Sequence, residues 1–379
     1  MEADIVKIPL FDLTRQYKEL RNEMIKKIDE AISSGVVIMG QNVEEIEERI
    51  ANYIGVKHAI AVGNGSDALV LALQSMGIEK GDRVITTPYT FFSTASAITR
   101  LGGIPIFIDV GEDFNIDVGL VEKKIKSDKS IKAVIPVHLF GKSVDMEYLK
   151  SICDKYGVKI LEDAAQSIGS EAFVGGKRVK TASIGDAGIL SFFPTKNLGA
   201  YGDAGMVLTN SDEIADRVRI LRVHGSHQKY VHEEIGYNSR MDEIQAAILN
   251  VKFSHLDMWI DKRINAASNY SKLLGGDTVL CPAVPKDRTH VFHQYVVRTE
   301  RREELREYLT NEGIGTAIYY PIPLHLQKCF SFLNYKPGDF PVAEKLSKES
   351  LAIPMFPEIT FEEQEYVAKK IKEFMEERS

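Results

Sequence analysis

Residues 58–73 read HAIAVGNGSDALVLAL: a strand-length apolar run, a turn of small residues, then the start of a helix. Gly63, Gly65 and Ala68 match the spacing G-x-G-x-x-[GA], so a dinucleotide-binding turn has to be weighed first. That reading needs an acid at the end of the next strand to hold a ribose. The next run, RVITTPYT, ends in Pro88 and Tyr89 and carries none. What survives is a more general inference. Small residues, free backbone N–H groups and a helix N-terminus make an anion site, with the Ser66 hydroxyl as a further donor. An ordinary strand-to-helix turn has the same composition, so the stretch needs support from elsewhere in the chain.

From about residue 58 to 210, β-rich runs alternate with amphipathic stretches. The runs are HAIAVG, RVITTP, IPIFIDV, AVIPVHLFG, VKILEDAA, AGILSFFP and GMVLTN. They are nearly continuously apolar, as strands covered on both faces must be. Helical patterns at Asp67–Met76, Phe92–Leu101 and Met146–Tyr156 lie between several of them, which predicts βαβ units. Residues 242–274 read as one long helix or a broken pair leaving this region. Beyond it come VFHQYVVRT, a helix at Arg302–Glu312, GTAIYYPIPLH and a closing helix at Thr360–Glu377. The expected fold is α/β, a mostly parallel sheet covered by helices, with a smaller C-terminal α+β domain. The expected division is 1–250 and 251–379.

The 379 residues are 44% hydrophobic and 27% charged, an ordinary globular composition. A formal net charge of −7 and the lack of a long basic block give no reason to expect nucleic-acid binding. The apolar runs fall far short of the ~20 residues that cross a bilayer. The opening MEADIVKIPLFDLTRQ has acids where a signal peptide has basic residues. Cys153, Cys281 and Cys329 form neither a metal-spaced pair nor a disulfide framework. His224, His227 and His232 lack the companions and spacing of a metal site, so no metal is expected. The expected location is the cytoplasm.

Two further stretches carry chemistry. In VKILEDAAQSIGS, residues 158–170, an apolar strand ends in Glu162 and Asp163, followed by Gln166. Carboxylates at the ends of parallel strands lie where open α/β sheets bind ligands, and a buried one wants a cationic partner. One of the two acids is equally suited to cap the next helix. In SFFPTKNLGAYGDAG, residues 191–205, Lys196 stands between aromatic residues and glycines. Apolar surroundings disfavour its ammonium form and make it a better nucleophile toward carbonyls. Gly199, Gly202 and Gly205 are expected to let the backbone approach a ligand. A phosphate site, a strand-end acid and a desolvated lysine are together what pyridoxal 5′-phosphate needs at its phosphate, its ring nitrogen and its aldehyde.

At this point NGSDAL, TPYTFFSTASAI, IPVHLFG, EDAAQSIG, SFFPTKNLGAYGDAG, GYNSRMDEIQAA and YYPIPLH together resemble the DegT-type sugar aminotransferases. These are pyridoxal-phosphate enzymes of the aspartate aminotransferase fold, fold type I. The resemblance runs in order from FDLTRQY at 11–17 to the 320s. It implies that Lys196 carries the cofactor as a Schiff base and shuttles protons. It implies that Asp163 pairs with the ring nitrogen, Gln166 contacts the ring hydroxyl, and Gly65, Ser66 and Ser191 hold the phosphate. Phe91 would stack on the ring. Asn238 would reach the phosphate of a neighbouring subunit, making the active unit a homodimer. Relatives that dehydrate instead carry histidine at the lysine position, so Lys196 points to transamination.

HGSHQKYVHEEIGYNSR and YYPIPLHLQ are most similar to members that aminate carbon 3 of a nucleotide-linked 3-keto-6-deoxyhexose, with dTDP as the expected nucleotide and L-glutamate as the donor. Enzymes for a UDP-linked 3-keto-N-acetylglucosaminuronate, or for a 4-keto nucleotide sugar, are the alternatives. Tyr319, Tyr320 and His325 are then candidates for sugar and nucleotide contacts, with Lys229 and Arg240 offering charge to phosphate or carboxylate. A nicotinamide-dependent sugar oxidoreductase or epimerase is the rival from another class, and a non-catalytic regulator is the third. Neither accounts for Asp163 and Lys196 together.

Overall fold

The computed structural model describes residues 8–275, 278–284 and 286–376. Residues 1–7, whose acids figure above, and Glu377, expected to end the last helix, lie outside them. Two helices, α1 (Leu13–Ser33) and α2 (Gln41–Ile54), precede the first strand. Strands β1 (His58–Val62), β2 (Arg83–Thr86), β3 (Ile104–Phe107), β4 (Ile131–Val134) and β5 (Lys159–Asp163) then alternate with helices. The helices are α3 (Gly65–Ser75), α4 (Phe92–Arg100), α5 (Val118–Ser127) and α6 (Met146–Tyr156). A hairpin, β6 (Glu171–Val174) and β7 (Lys177–Lys180), leads to β8 (Ala187–Ser191) and β9 (Gly205–Thr209). Seven of these strands form one sheet in the order β1-β9-β8-β5-β4-β2-β3, in which only β9 runs antiparallel to its neighbours.

Both faces of this sheet are covered, which is why its strands read as unbroken apolar runs. In β1, Ala59 and Ala61 enter a core shared with α2, while Ile60 and Val62 enter the core around α3. In β9, Met206 and Leu208 join the first core and Val207 the second. Successive side chains of a strand point to opposite faces, and here each face has a core to receive them.

The chain continues through α7 (Asp212–Leu221), a small hairpin of β10 (Ser226–Gln228) and β11 (Val231–His232), then α8 (Glu243–Phe253) and α9 (Leu256–Leu273). The 242–274 segment is therefore a broken pair of helices. Buried Glu243 at the start of α8 accepts from the backbone N–H of Gly40 (3.0 Å) and Val43 (3.3 Å), serving as a remote cap for α2. Strands β12 (Tyr295–Arg298) and β13 (Ser350–Ile353) pair antiparallel beside α10 (Arg302–Asn311), α11 (Pro341–Glu349) and α12 (Phe361–Glu376). Residue 250 falls inside α8. The N-terminal half of α9 packs into the sheet core through Leu256 and Ile260, and its other half into the C-terminal core through Ala266, Ala267 and Tyr270. Ile8 also belongs to that C-terminal core. Among the described residues no helix is long and apolar enough to cross a membrane.

The two acids that end β5 diverge. Glu162 is fully buried, accepts from the N–H groups of Ala182 (2.9 Å), Ile184 (2.6 Å) and Gly185 (2.8 Å), and pairs with His138 Nε2 at 3.0 Å. It is a structural anchor for the loop before β8. Glu162→Ala leaves these donors unpaired in the core and is expected to cost about 3–5 kcal/mol. A urea unfolding midpoint unchanged from native would contradict this.

Candidate active site

A cavity of about 520 Å³ opens at the carboxyl ends of the parallel strands, the position where sheets of this kind bind ligands. Gly65 and Ser66 line it from the start of α3, Asp163 from the end of β5, Gln166 from the turn beyond, and Ser191 and Lys196 from the end of β8 and the turn after it. Phe91, Tyr319 and Tyr320 close the aromatic side.

Lys196 sits in a turn tied by Lys196 N–H to the Phe193 carbonyl (2.8 Å) and by Ala200 N–H to the Phe192 carbonyl (2.7 Å). Phe192 is buried in the sheet core and Phe193 lines the cavity. Burial pulls the Lys196 amine down to about 8, against the opposing attraction of Asp163. Among the described residues Lys196 makes no ion pair or hydrogen bond through its amine. Burial conversely pushes the Asp163 carboxyl up, opposed by a hydrogen bond from Thr94 Oγ1 (2.8 Å), one from Ala165 N–H (3.2 Å) and the charge of Lys196.

At the opposite end the Asn64 side chain caps α3 by accepting from Asp67 N–H at 2.8 Å. A Cβ on Gly65 would lie 2.7 Å from Ser191 Cβ, so only glycine lets the helix start come so close to β8. Ser66 Oγ lies 2.5 Å from Ser93 Oγ at the first turn of α4. The G-x-G-x-x-A match thus belongs to a helix start facing this cavity. On the aromatic side, Phe91 is more than half exposed, with its ring 6.1 Å from that of Tyr320. Gln166 accepts from Phe140 N–H through Oε1 (2.7 Å) and donates from Nε2 to the Tyr320 hydroxyl (3.3 Å).

Four expected residues stand elsewhere. His325 is buried outside the cavity, 3.1 Å from Glu344 Oε1 and edge-on to Phe340. Its ring is enclosed by packing, which removes it from substrate contact within this chain. Lys229 lies exposed at the β10–β11 hairpin over the Tyr230 ring. Asn238 is exposed and accepts from Arg240 at 2.5 Å, and neither lines the cavity of its own chain. The loop glycines also differ from expectation. A Cβ on Gly199 would meet the Pro194 carbonyl at 2.3 Å, on Gly202 the Gln245 side chain at 2.9 Å, and on Gly205 the Asn64 backbone at 2.4 Å. They make room for protein, not for ligand.

Sequence reasoning passed over Asn64, Thr94, Ser93, His293, Gln294 and Asp203, all of which line the cavity. Ser93 and Thr94 had one local signal, as hydroxyls in the first turn of a helix after TPYTFF. His293 had none; burial and the nearby charges of Lys196, Arg263 and His290 keep it neutral, well below the usual histidine range. Among the described residues no cluster of His, Cys, Asp or Glu is arranged for a metal ion.

An amine with no partner suits a carbonyl, and an acid with no contacting cation suits a protonated ring nitrogen. A helix start opening on the same space suits a phosphate. These deficits match pyridoxal phosphate end for end and place the chain among the enzymes that carry this cofactor on a lysine. The chain belongs to the DegT/DnrJ/EryC1/StrS aminotransferase family, whose model matches residues 18–372, and is a pyridoxal-phosphate-dependent aminotransferase.

It is 49% identical to a pleiotropic regulatory protein of Geobacillus stearothermophilus, over 97% of this chain and 98% of that one. It is 40% identical to the UDP-N-acetyl-3-dehydro-alpha-D-glucosamine 3-aminotransferase of Acidithiobacillus ferrooxidans, over 96% and 97%. It is 38% identical to the dTDP-3-amino-3,4,6-trideoxy-alpha-D-glucose transaminase of Streptomyces venezuelae, over 99% and 98%. Among solved structures, S. venezuelae DesV in complex with a ketimine intermediate superimposes with a TM-score of 0.93 at 38% identity, covering 98% of this chain and 99% of that one. Bacillus subtilis NtdA with bound cofactor PMP gives 0.88 at 29% identity, covering 99% and 86%.

Only the neutral amine attacks a carbonyl. The rate at which apoprotein captures pyridoxal phosphate should therefore rise about tenfold per pH unit below 8 and level off above it. Stopped-flow absorbance measures this, and a rise continuing to pH 10 would place the amine at its ordinary value. Thr94→Val removes the hydroxyl bond to Asp163 and should weaken cofactor binding about tenfold, read by equilibrium dialysis.

Proposed function

We propose that the protein transfers an amino group from L-glutamate to the C-3 keto group of a nucleotide-linked 3-keto-6-deoxyhexose, with dTDP as the nucleotide. The product is a 3-amino-3,6-dideoxyhexose. The observation that carries this reading is the unpartnered Lys196 amine facing the same cavity as Asp163. The choice of carbon 3 is supported by relatives whose names specify 3-amino or 3-dehydro sugars. A UDP-linked 3-keto sugar is the second reading, favoured by the relative at 40% identity.

Pyridoxal phosphate supplies the electron sink that makes the donor's α-hydrogen acidic. Asp163 would hold the ring nitrogen protonated, and the α3 start with Ser66 and Ser191 would hold the phosphate. Phe91 would cover one face of the ring, and Gln166 would bond its hydroxyl. Lys196, neutral near pH 8 and above, is the base that takes the α-proton from the donor and returns a proton during amination of the sugar. Tyr319 and Tyr320 stand on the wall where the keto sugar would lie.

Lys196 is the only lysine or arginine lining the cavity among the described residues, and the substrates bring a diphosphate and carboxylates. The missing charge is supplied in this reading by Lys229 and Arg240 of a second copy, with Asn238 reaching that copy's cofactor phosphate. Exposed apolar residues at Val36, Val37, Ile38 and Met39, and at Tyr230 and Ile235, suit such a homodimer face. The protein would work in the cytoplasm, where nucleotide sugars are made. A regulatory role without catalysis, raised by one relative's name, is disfavoured by the intact pair of Asp163 and Lys196.

Lys196→Ala should lower kcat by at least about a thousandfold, with loss of the visible band of lysine-bound cofactor. Retained turnover would sink the reading. Lys229→Ala/Arg240→Ala should raise KM for the sugar nucleotide. Mixing it with Lys196→Ala should then raise turnover at low sugar-nucleotide concentration above that of either variant alone, because each mixed dimer keeps one complete site. No gain on mixing would argue against shared sites.

A further inference from the structure

The turn that carries Lys196 is held from behind by a second lysine. Lys252, one residue before the end of α8, is 1% exposed, and its Nζ donates to the Gly199 carbonyl. The Tyr201 ring lies 5.0 Å from it. The acid that acts on it electrostatically is Glu358, which is not in ion-pair contact with it among the described residues. Burial pulls the Lys252 amine down to about 8, against the attraction of Glu358, and an apolar side chain of similar length would fill the space with less penalty. The carbonyl bond is what an apolar chain cannot supply.

That bond adds a further tie to the turn. Residues 192 and 200 are already joined by their backbones, Asn197 Nδ2 donates to the Val291 carbonyl at 3.2 Å, and Leu198 is fully buried. Gly199 is pressed against Pro194, and its carbonyl accepts from Lys252 on α8. The helix offering the donor is itself fixed, since Glu243 at its other end caps α2. On the neighbouring helix, Arg263 Nη1 does the same for the facing wall, donating to the carbonyls of Phe292 (3.2 Å), His293 (3.4 Å) and Met355 (3.1 Å). A buried amine on α8 and a buried guanidinium on α9 thus hold the backbones of two stretches, 192–200 and 292–293, that flank the cavity.

We propose that Lys252 is a positioning residue for transamination, its bond to Gly199 setting where the Lys196 amine stands in the cavity. The proposal rests on the reading of Lys196 as the cofactor lysine. Lys252→Met should fold, with a thermal midpoint within a few degrees of native. Its apoprotein should capture pyridoxal phosphate about tenfold more slowly, followed by absorbance, and its kcat should fall about tenfold, while KM for the sugar nucleotide stays within about twofold. Lys252→Gln keeps a donor to the carbonyl and should recover most of the loss. Native capture rate and kcat in Lys252→Met would overturn the proposal. So would failure of that variant to fold, since a bond that only positions the turn is dispensable for folding, and so would a Gln variant no better than Met. Lys196→Ala separates the two readings: a visible band retained there sinks the role of Lys196. Native behaviour of Lys252→Met, with the band lost in Lys196→Ala, sinks the role of Lys252 alone.

Discussion

Asp163 faces one cavity from the end of β5 and Lys196 from the turn after its parallel neighbour β8, and burial makes each harder to charge, lifting the acid and lowering the amine. Their mutual attraction opposes both shifts but does not cancel them. Neither group can afford to stand alone in this setting, so the surroundings are built around them. Thr94 and the Ala165 amide bind the acid, and the 192–200 turn fixes the amine. A partner that presents a cation to one and a carbonyl to the other relieves both costs at once.

The divergence of Glu162 and Asp163 follows from strand geometry. Neighbouring residues on a strand face opposite sides of the sheet. One acid therefore turns down into a ring of backbone donors and His138, and the other turns toward the cavity. Their sequence, ED, left open which was structural. The sheet's two-residue period decides it once the side that holds the ligand is known.

Much of the architecture was legible because both faces of the sheet are covered, so that all seven strands announced themselves as apolar runs. Met146–Tyr156 matched to the residue; α3 began two residues earlier than Asp67 because Asn64 caps it. Gly65, Asp163 and Lys196 were legible because each combines an unusual residue type with an unusual neighbourhood. Thr94, Ser93 and His293 were not, because they matter through partners distant in sequence, which no local pattern encodes. His325 shows the converse. Its closeness in sequence to Tyr320 said nothing of its direction, and a 3-10 turn after Pro323 sends it into the packing with Phe340 and Glu344.

Helix α9 is rooted in the sheet core at one end and in the C-terminal core at the other. A rod embedded in two masses transmits torque between them, so the halves of the molecule are coupled like two wheels on one axle. A hinge at that joint would have to strip Leu256 and Ile260, or Ala266 and Tyr270, from their neighbours. Local rearrangement falls instead to segments with little core behind them, such as the exposed hairpin around Tyr230. Flexibility in such a hairpin and rigidity of the two cores are thereby separated along the chain.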